Sequence, residues 1–306
     1  PVHHMDSSGG CTLSDNQGLI ERLRMDAAHP FDLGSGPVFR LALYRLADGH
    51  HVVSFVVHHI ASDGWSVGLL QREWSHAYDC FVKGESPELP PLSLQYSDYA
   101  VWQRAMIAGG HWREQLTYWR SRLAGLEAAE LPADHNIAPE AGSSRCVRFS
   151  IPAALTESLR TYAQQRKMTL FMVVLAGLNV LLHRHTGRTD IGIGTSVAGR
   201  NRAETSELIG FFVNQLVLRT DVVADSTVDE LMSRTRATVL EALDNQDIPF
   251  SLLVSELPHS RGAGRTPFFQ LLVVLQDFPD EPLSLPGLTA RRWVDDRPAA
   301  KFDISL

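Results

Sequence analysis

Cysteine is scarce in this sequence. Three residues, Cys11, Cys80 and Cys146, stand far apart with no CxxC spacing, which argues against a disulfide framework or a cysteine zinc site. An odd, sparse count fits a reducing compartment, so a cytoplasmic location is expected. Basic charge is not in excess: 28 Lys and Arg face 35 Asp and Glu, a formal charge of −7. Phosphate backbones and anionic lipid demand a basic field, and no Lys/Arg cluster supplies one. Neither nucleic acid nor a membrane is therefore expected as a partner. Long apolar runs are missing as well. The longest, Leu170 to Leu182, is interrupted by Asn179 and is too short to span a bilayer. No signal peptide, repeat or low-complexity tract is found. What is present is ordinary globular composition, 44% hydrophobic and 21% charged over 306 residues, enough for about two lobes of roughly 150 residues. The chain starts at Pro1 and stops at Leu306 inside a predicted strand, the pattern expected of a piece of a longer polypeptide.

Residues 1–16 are polar and unpatterned. The spacing of Leu19, Ile20, Leu23 and Met25 predicts an amphipathic helix over Asn16 to Ala28. Strands are expected at Val38–Leu46 and Val52–Val57 around the hairpin signal Asp48-Gly49. The second is almost continuously apolar and is expected to be covered on both faces. A helix from Ser66 to about Phe81 follows, then an aromatic-rich helical stretch from Tyr96 to Leu126. Residues 131–144 are rich in Pro, Gly and small polar residues and read as a connector. The second half predicts a strand at Arg145–Ile151, a helix from Pro152, and a helix Leu170–Arg184 capped by Thr169. Strands follow at Asp190–Val197 and Phe211–Arg219. Thr227-Val-Asp-Glu230 is a capping box opening a helix to about Leu243. Further strands are expected at Phe268–Leu275, Leu288–Val294 and Phe302–Leu306. The alternation of helix and strand in both halves predicts an α/β fold with mixed sheets.

The strongest local feature is His58-His59-x-x-x-Asp63-Gly64, where an apolar strand runs into a polar loop ahead of a helix. Such loops are held rigidly at both ends and suit an active site. Two histidines at the mouth of a buried strand are costly unless hydrogen-bonded or used. Three readings compete. The pair is structural and satisfies nearby backbone; it binds a metal, although adjacent histidines rarely share one ion and no third ligand has zinc spacing; or one histidine is a general base, since histidine titrates near neutral pH. Asp63 and Gly64 suit a braced, tight loop. Gly194-Thr-Ser196-Val-Ala198 resembles a nucleophile elbow but ends in Ala where that motif needs Gly. Gly262-Ala-Gly264-Arg265 follows no strand and lacks the end of a phosphate loop. The aromatic run Tyr96, Tyr99, Trp102, Trp112, Tyr118 and Trp119 reads as helix packing rather than a ligand cage.

The segment from His58 to Ser66 resembles the signature motif HHxxxDG of condensation domains from nonribosomal peptide synthetases. Its companions occur in order: Tyr96 to Gln103 resembles the family's YxDYAxWQ motif and Ile209 to Arg219 its GxFVNxxxxR motif. Gln246 to Phe250, Thr266 to Gln270 and Lys301 to Leu306 resemble later segments. The likeness runs from about Met25 onward. A histidine usual ahead of Gln246 is Asn245 here, and the domain's front and tail are expected to be missing.

The resemblance implies two chloramphenicol acetyltransferase-like lobes in a V, with the active site in a tunnel between them. The lobes are expected at 1–130 and 145–306, joined by 131–144. It implies His59 as the catalytic histidine, with His58, Asp63 and Gly64 completing the catalytic motif. Ser62, Trp65 and Asn214 are implied at the substrate, and Arg200, Arg219 or an arginine of the missing front as the structural partner of Asp63. It further implies that an upstream donor and a downstream acceptor carrier domain bring thioesters on phosphopantetheine arms, with an adenylation domain adjacent. The chain itself needs no cofactor and no metal. The implied reaction is amide formation from an L-donor to an L-acceptor. Ester-forming and epimerising relatives, and a non-catalytic domain that recruits a carrier or accessory enzyme, are the alternatives.

Overall fold

The computed structural model describes residues 16–47, 49–128, 131, 145–258, 266–276, 283–293 and 302–306. They form two compact units. The first is Pro1–Tyr96, Glu204–Phe212 and Leu283–Pro286; the second is Ser97–Ala203, Val213–Pro282 and Gly287–Leu306. This differs from the expected division at 131–144: the helices after Tyr96 belong with the second unit, and a short stretch near residue 208 returns to the first. Of that expected connector only Leu131 lies within the described residues, and Asp48, Gly262–Arg265 and Lys301 lie outside them.

In the first unit, helix α1 (Gln17–Ala28) is capped by Asn16, whose Oδ1 accepts the Leu19 N–H at 3.0 Å. It buries Leu19, Ile20 and Leu23, while Met25 points to solvent. Strands β1 (Phe39–Ala47) and β2 (His50–Val57) form an antiparallel hairpin. Leu19 and Leu23 pack with Tyr44 and Leu46 into a small core, and the Tyr44 hydroxyl donates to Asp26 Oδ2 at 2.6 Å. The expectation that β2 is covered on both faces fails. Among the described residues its sheet has two strands, and Val53 and Phe55 stay exposed. An apolar run marks a strand without saying what lies above it. Helix α2 (Gly64–Lys83) follows and ends at Gly84, whose φ of 77° is the left-handed cap glycine accommodates.

The second unit holds the larger core. The predicted single helix over 96–126 is two: α3 (Tyr96–Ala108) and α4 (Arg113–Leu123). Gly109 and Gly110 break it, Gly110 with φ 67°. Helices α5 (Ala153–Gln165) and α6 (Leu170–Thr186) follow, α6 capped by Thr169 as expected. Strands β3 (Asp190–Val197) and β4 (Asn214–Asp221) pair antiparallel over their full length. After them run α7 (Val228–Asp244), α8 (Phe250–Glu256), β5 (Leu271–Leu272) and β6 (Ile304–Ser305), giving sheet order β4-β3-β5-β6. The capping box opens α7 with both of its reciprocal bonds in place. Trp112 and Trp119 are core residues, and the Trp119 indole N–H donates to the Asn245 carbonyl at 2.8 Å. The aromatic run is therefore packing. Ser196 sits in β3 opposite Gln215, in continuous ladder and not on a sharp turn, which removes the nucleophile-elbow reading.

Several predicted strands shrink or vanish, the one expected at Phe302–Leu306 shrinking to β6 among them. Residues 145–151 have no strand pairing, with Val147 and Phe149 exposed. Residues 288–293 form no strand, and the one expected at Phe268–Leu275 reduces to β5. Alternation of apolar residues specifies a strand only where a partner edge is available. No single described helix is long and apolar enough to cross a membrane.

Candidate active site

Strand β2 ends at Val57, and the His58 N–H still donates to the Val38 carbonyl at 2.8 Å. His58 then turns inward on its own loop: its Nδ1 accepts the Ile60 N–H at 3.1 Å, capping a single tight turn over His59–Ala61. The structural reading therefore fits His58. His59 is different. Its ring is exposed, and its Nδ1 lies 2.7 Å from the Ser62 carbonyl. A carbonyl only accepts, so Nδ1 carries the proton and Nε2 keeps the lone pair of the neutral ring. That is the tautomer a general base needs.

Asp63 is buried and acts as a clamp. Its Oδ1 accepts the Ser66 N–H at 2.8 Å, the N-cap bond of α2, and lies 2.8 Å from the Ser66 hydroxyl. Its Oδ2 accepts the Phe212 N–H at 3.0 Å, from a segment 149 residues away. Around it, residues 204–212 run as a strap against α2. Ser66 Oγ accepts the Gly210 N–H at 3.0 Å and lies 2.8 Å from the Gly210 carbonyl, so its one proton is shared between that oxygen and Asp63. The Tyr96 hydroxyl donates to the Phe211 carbonyl at 2.8 Å. Burial, then the Asp63 charge, push the Tyr96 phenol above its ordinary range, which keeps it a donor. The Trp65 indole N–H donates to the Ser206 carbonyl at 2.9 Å, and Arg72 pairs with Glu207.

Asp63→Asn tests the clamp. An amide keeps one acceptor and turns an N–H on the other backbone donor, so a loss of about 1 to 2 kcal/mol is expected. Urea unfolding would measure it, and an unchanged midpoint would mean that the Phe212 bond contributes nothing.

Other expected site residues receive different roles. The Ser62 side chain is buried, and its carbonyl lies against His59 Nδ1. Trp65 is 41% exposed with its N–H already used. Gly64 opens α2 with an ordinary φ, and no atom lies within 4 Å of where a Cβ would sit. The fold does not demand glycine there; the space beside the motif is simply open. Asn214 holds a turn: its amide donates to the Gln246 and Ile248 carbonyls, both at 2.8 Å, and accepts the Phe250 N–H at 2.9 Å. Arg219 grips Asp190 with two bonds of 2.7 Å and also donates to the Arg122 and Ala124 carbonyls. It is committed within the second unit. Arg200 follows Gly199 (φ 64°) and precedes two anchored residues: Asn201 donates to Asp247 at 3.1 Å, and the Arg202 guanidinium lies 4.4 Å from the Trp102 ring centroid.

Sequence reasoning missed Ser66, Gly210 and Phe211. The last two lie inside the GxFVNxxxxR-like segment, which is the signal that could have found them. Phe211 sets its ring against His59, with centroids 4.9 Å apart at 80°.

The condensation domain model matches residues 7–303, and the chain belongs to that family. It is 45% identical over 304 residues to a linear gramicidin synthase protein of Brevibacillus parabrevis, covering 97% of this chain and 6% of that much longer protein. The X-domain from teicoplanin biosynthesis superposes with a TM-score of 0.83 at 29% identity, covering 100% of this chain and 69% of its own. The first condensation domain of the CDA synthetase shares the fold, with a TM-score of 0.71 at 23% identity over 94% of this chain and 63% of its own. The α/β fold is thus of the chloramphenicol acetyltransferase-like kind found in condensation domains. Peptide-bond formation by acyl transfer is the family's general activity.

Proposed function

We propose that this chain catalyses amide formation between a donor acyl or peptidyl thioester and the amine of an acceptor aminoacyl thioester. Both substrates are carried on the phosphopantetheine arms of upstream and downstream carrier domains, with an adenylation domain adjacent in a cytoplasmic synthetase. The L-to-L subtype is part of the proposal. The observation that carries it is the His59 geometry: an exposed residue whose Nδ1 lies 2.7 Å from the Ser62 carbonyl, an arrangement that suits Nε2 to act as the basic nitrogen.

The chemistry fits these parts. An α-amine has an ordinary pKa of about 8, so a useful fraction is neutral near pH 7. Its nitrogen attacks the thioester carbonyl and gives a zwitterionic tetrahedral species. The C–N bond forms, the C–S bond breaks, and the proton shed by the amine ends on the departing thiol. His59 Nε2 is suited to hold that proton in transit and to orient the amine. Tethering both substrates supplies high effective concentration, so weak carrier contacts suffice.

A second reading is recruitment. The teicoplanin X-domain, a structural neighbour, is also known in complex with OxyB. Loading donor and acceptor carriers in the synthetase module containing this domain, then seeking the dipeptidyl thioester by mass spectrometry, separates the two. The expected product is the dipeptide on the acceptor arm; its absence with both arms loaded would favour recruitment.

A further inference from the structure

We propose that Phe211 is a positioning residue for His59, held against the imidazole by the Gly210–Phe212 strap. The inference rests on the reading of His59 as the working base.

One hydrogen bond does not hold an imidazole. The Nδ1 bond to Ser62 fixes one direction in the ring plane and leaves the ring free to rock about that bond. The Phe211 ring, 4.9 Å away and near perpendicular, blocks the rocking. Phe211 has little independent freedom itself, because the backbone is pinned at three successive residues. Gly210 N–H donates to Ser66 Oγ, the Phe211 carbonyl accepts from Tyr96, and Phe212 N–H donates to Asp63. The strap also seats closely: a Cβ on Gly210 would fall 2.2 Å from a Tyr96 ring carbon. The Phe211 ring is 37% exposed, so it is not a core residue whose purpose is burial. Asp63 and His59, four residues apart in the motif, are thereby linked a second way, from carboxylate to Phe212 N–H to the Phe211 ring to the imidazole.

The test compares Phe211→Leu, which keeps apolar bulk and loses the ring, with Phe211→Tyr, which keeps it; Phe211→Met serves if the leucine variant does not fold. Imidazole NMR of the intact chain reads the contact without any substrate. With Phe211→Leu, the His59 carbon-bound protons lose their ring-current shift and the Nδ1–H form is no longer dominant, while Phe211→Tyr preserves both. In the loaded-carrier assay kcat falls about tenfold for the leucine variant, with KM and melting temperature unchanged, and recovers with tyrosine. Unchanged His59 resonances in Phe211→Leu would overturn the proposal. So would changed resonances with a normal kcat while His59→Ala is impaired. If His59→Ala is itself unimpaired and the resonances change, the contact stands and the reading of His59 as base is what fails.

Discussion

With His59 replaced by alanine, amide formation should fall roughly 10²-fold, and ester formation with a hydroxyl acceptor should drop to background. The asymmetry follows from the acceptor. An amine is partly neutral near pH 7 and attacks unaided, so losing the base costs proton removal from the tetrahedral species and orientation of the nucleophile. A hydroxyl sheds its proton far less readily and has no such reserve. The variant should fold normally, because His59 is exposed and its bond to Ser62 is local. Both acceptors, presented on the same carrier and read by mass spectrometry of the product thioester, give the comparison. A normal rate with either acceptor would remove His59 from the mechanism.

Gly194→Ala should destabilise the second unit by about 3 kcal/mol. Gly194 lies mid-strand in β3 with ordinary backbone angles, so conformational freedom is not the reason for glycine there. Space is. A Cβ would stand 2.1, 2.4 and 2.5 Å from three atoms of the Phe269 ring. That ring cannot step aside, being fully buried, stacked on Phe302 at 5.4 Å and packed against Phe250 at 5.9 Å. Interiors this dense answer an added methyl with strain. Chemical unfolding of the variant gives the number. Phe269→Leu introduced beside it should recover part of the loss, and an unshifted midpoint in the single variant would refute the packing argument.

What can be read from the sequence is what lies within a few residues. Thr169 as a cap, the Thr227–Glu230 box and the limits of β3 all hold, since each depends on neighbours along the chain. The His59 loop is legible for the same reason: Ser62 is three residues from the ring it fixes. The strap is not. Ser66 meets Gly210 across 144 residues, and no periodicity reports a meeting of that kind. The strand expected from Phe211 begins only at Asn214, because Gly210, Phe211 and Phe212 have their backbone bound to Ser66, Tyr96 and Asp63. The partners of Asn214 and Arg219 are equally out of reach of a motif: Asn214 bonds the Gln246 and Ile248 carbonyls and Arg219 bonds Asp190, each about 30 residues away along the chain.

The strap also carries a consequence for the nascent chain. Asp63 leaves the ribosome 149 residues ahead of the N–H it will hold at Phe212, a wait of roughly 10 s at ordinary elongation rates. During that interval the His59 loop can make its local bond to Ser62, while the buried carboxylate of Asp63 has no Phe212 to bind. A ribosome paused before residue 204 would thus carry a first unit with its histidine motif translated and its clamp open, and release past residue 212 would be the event that closes it.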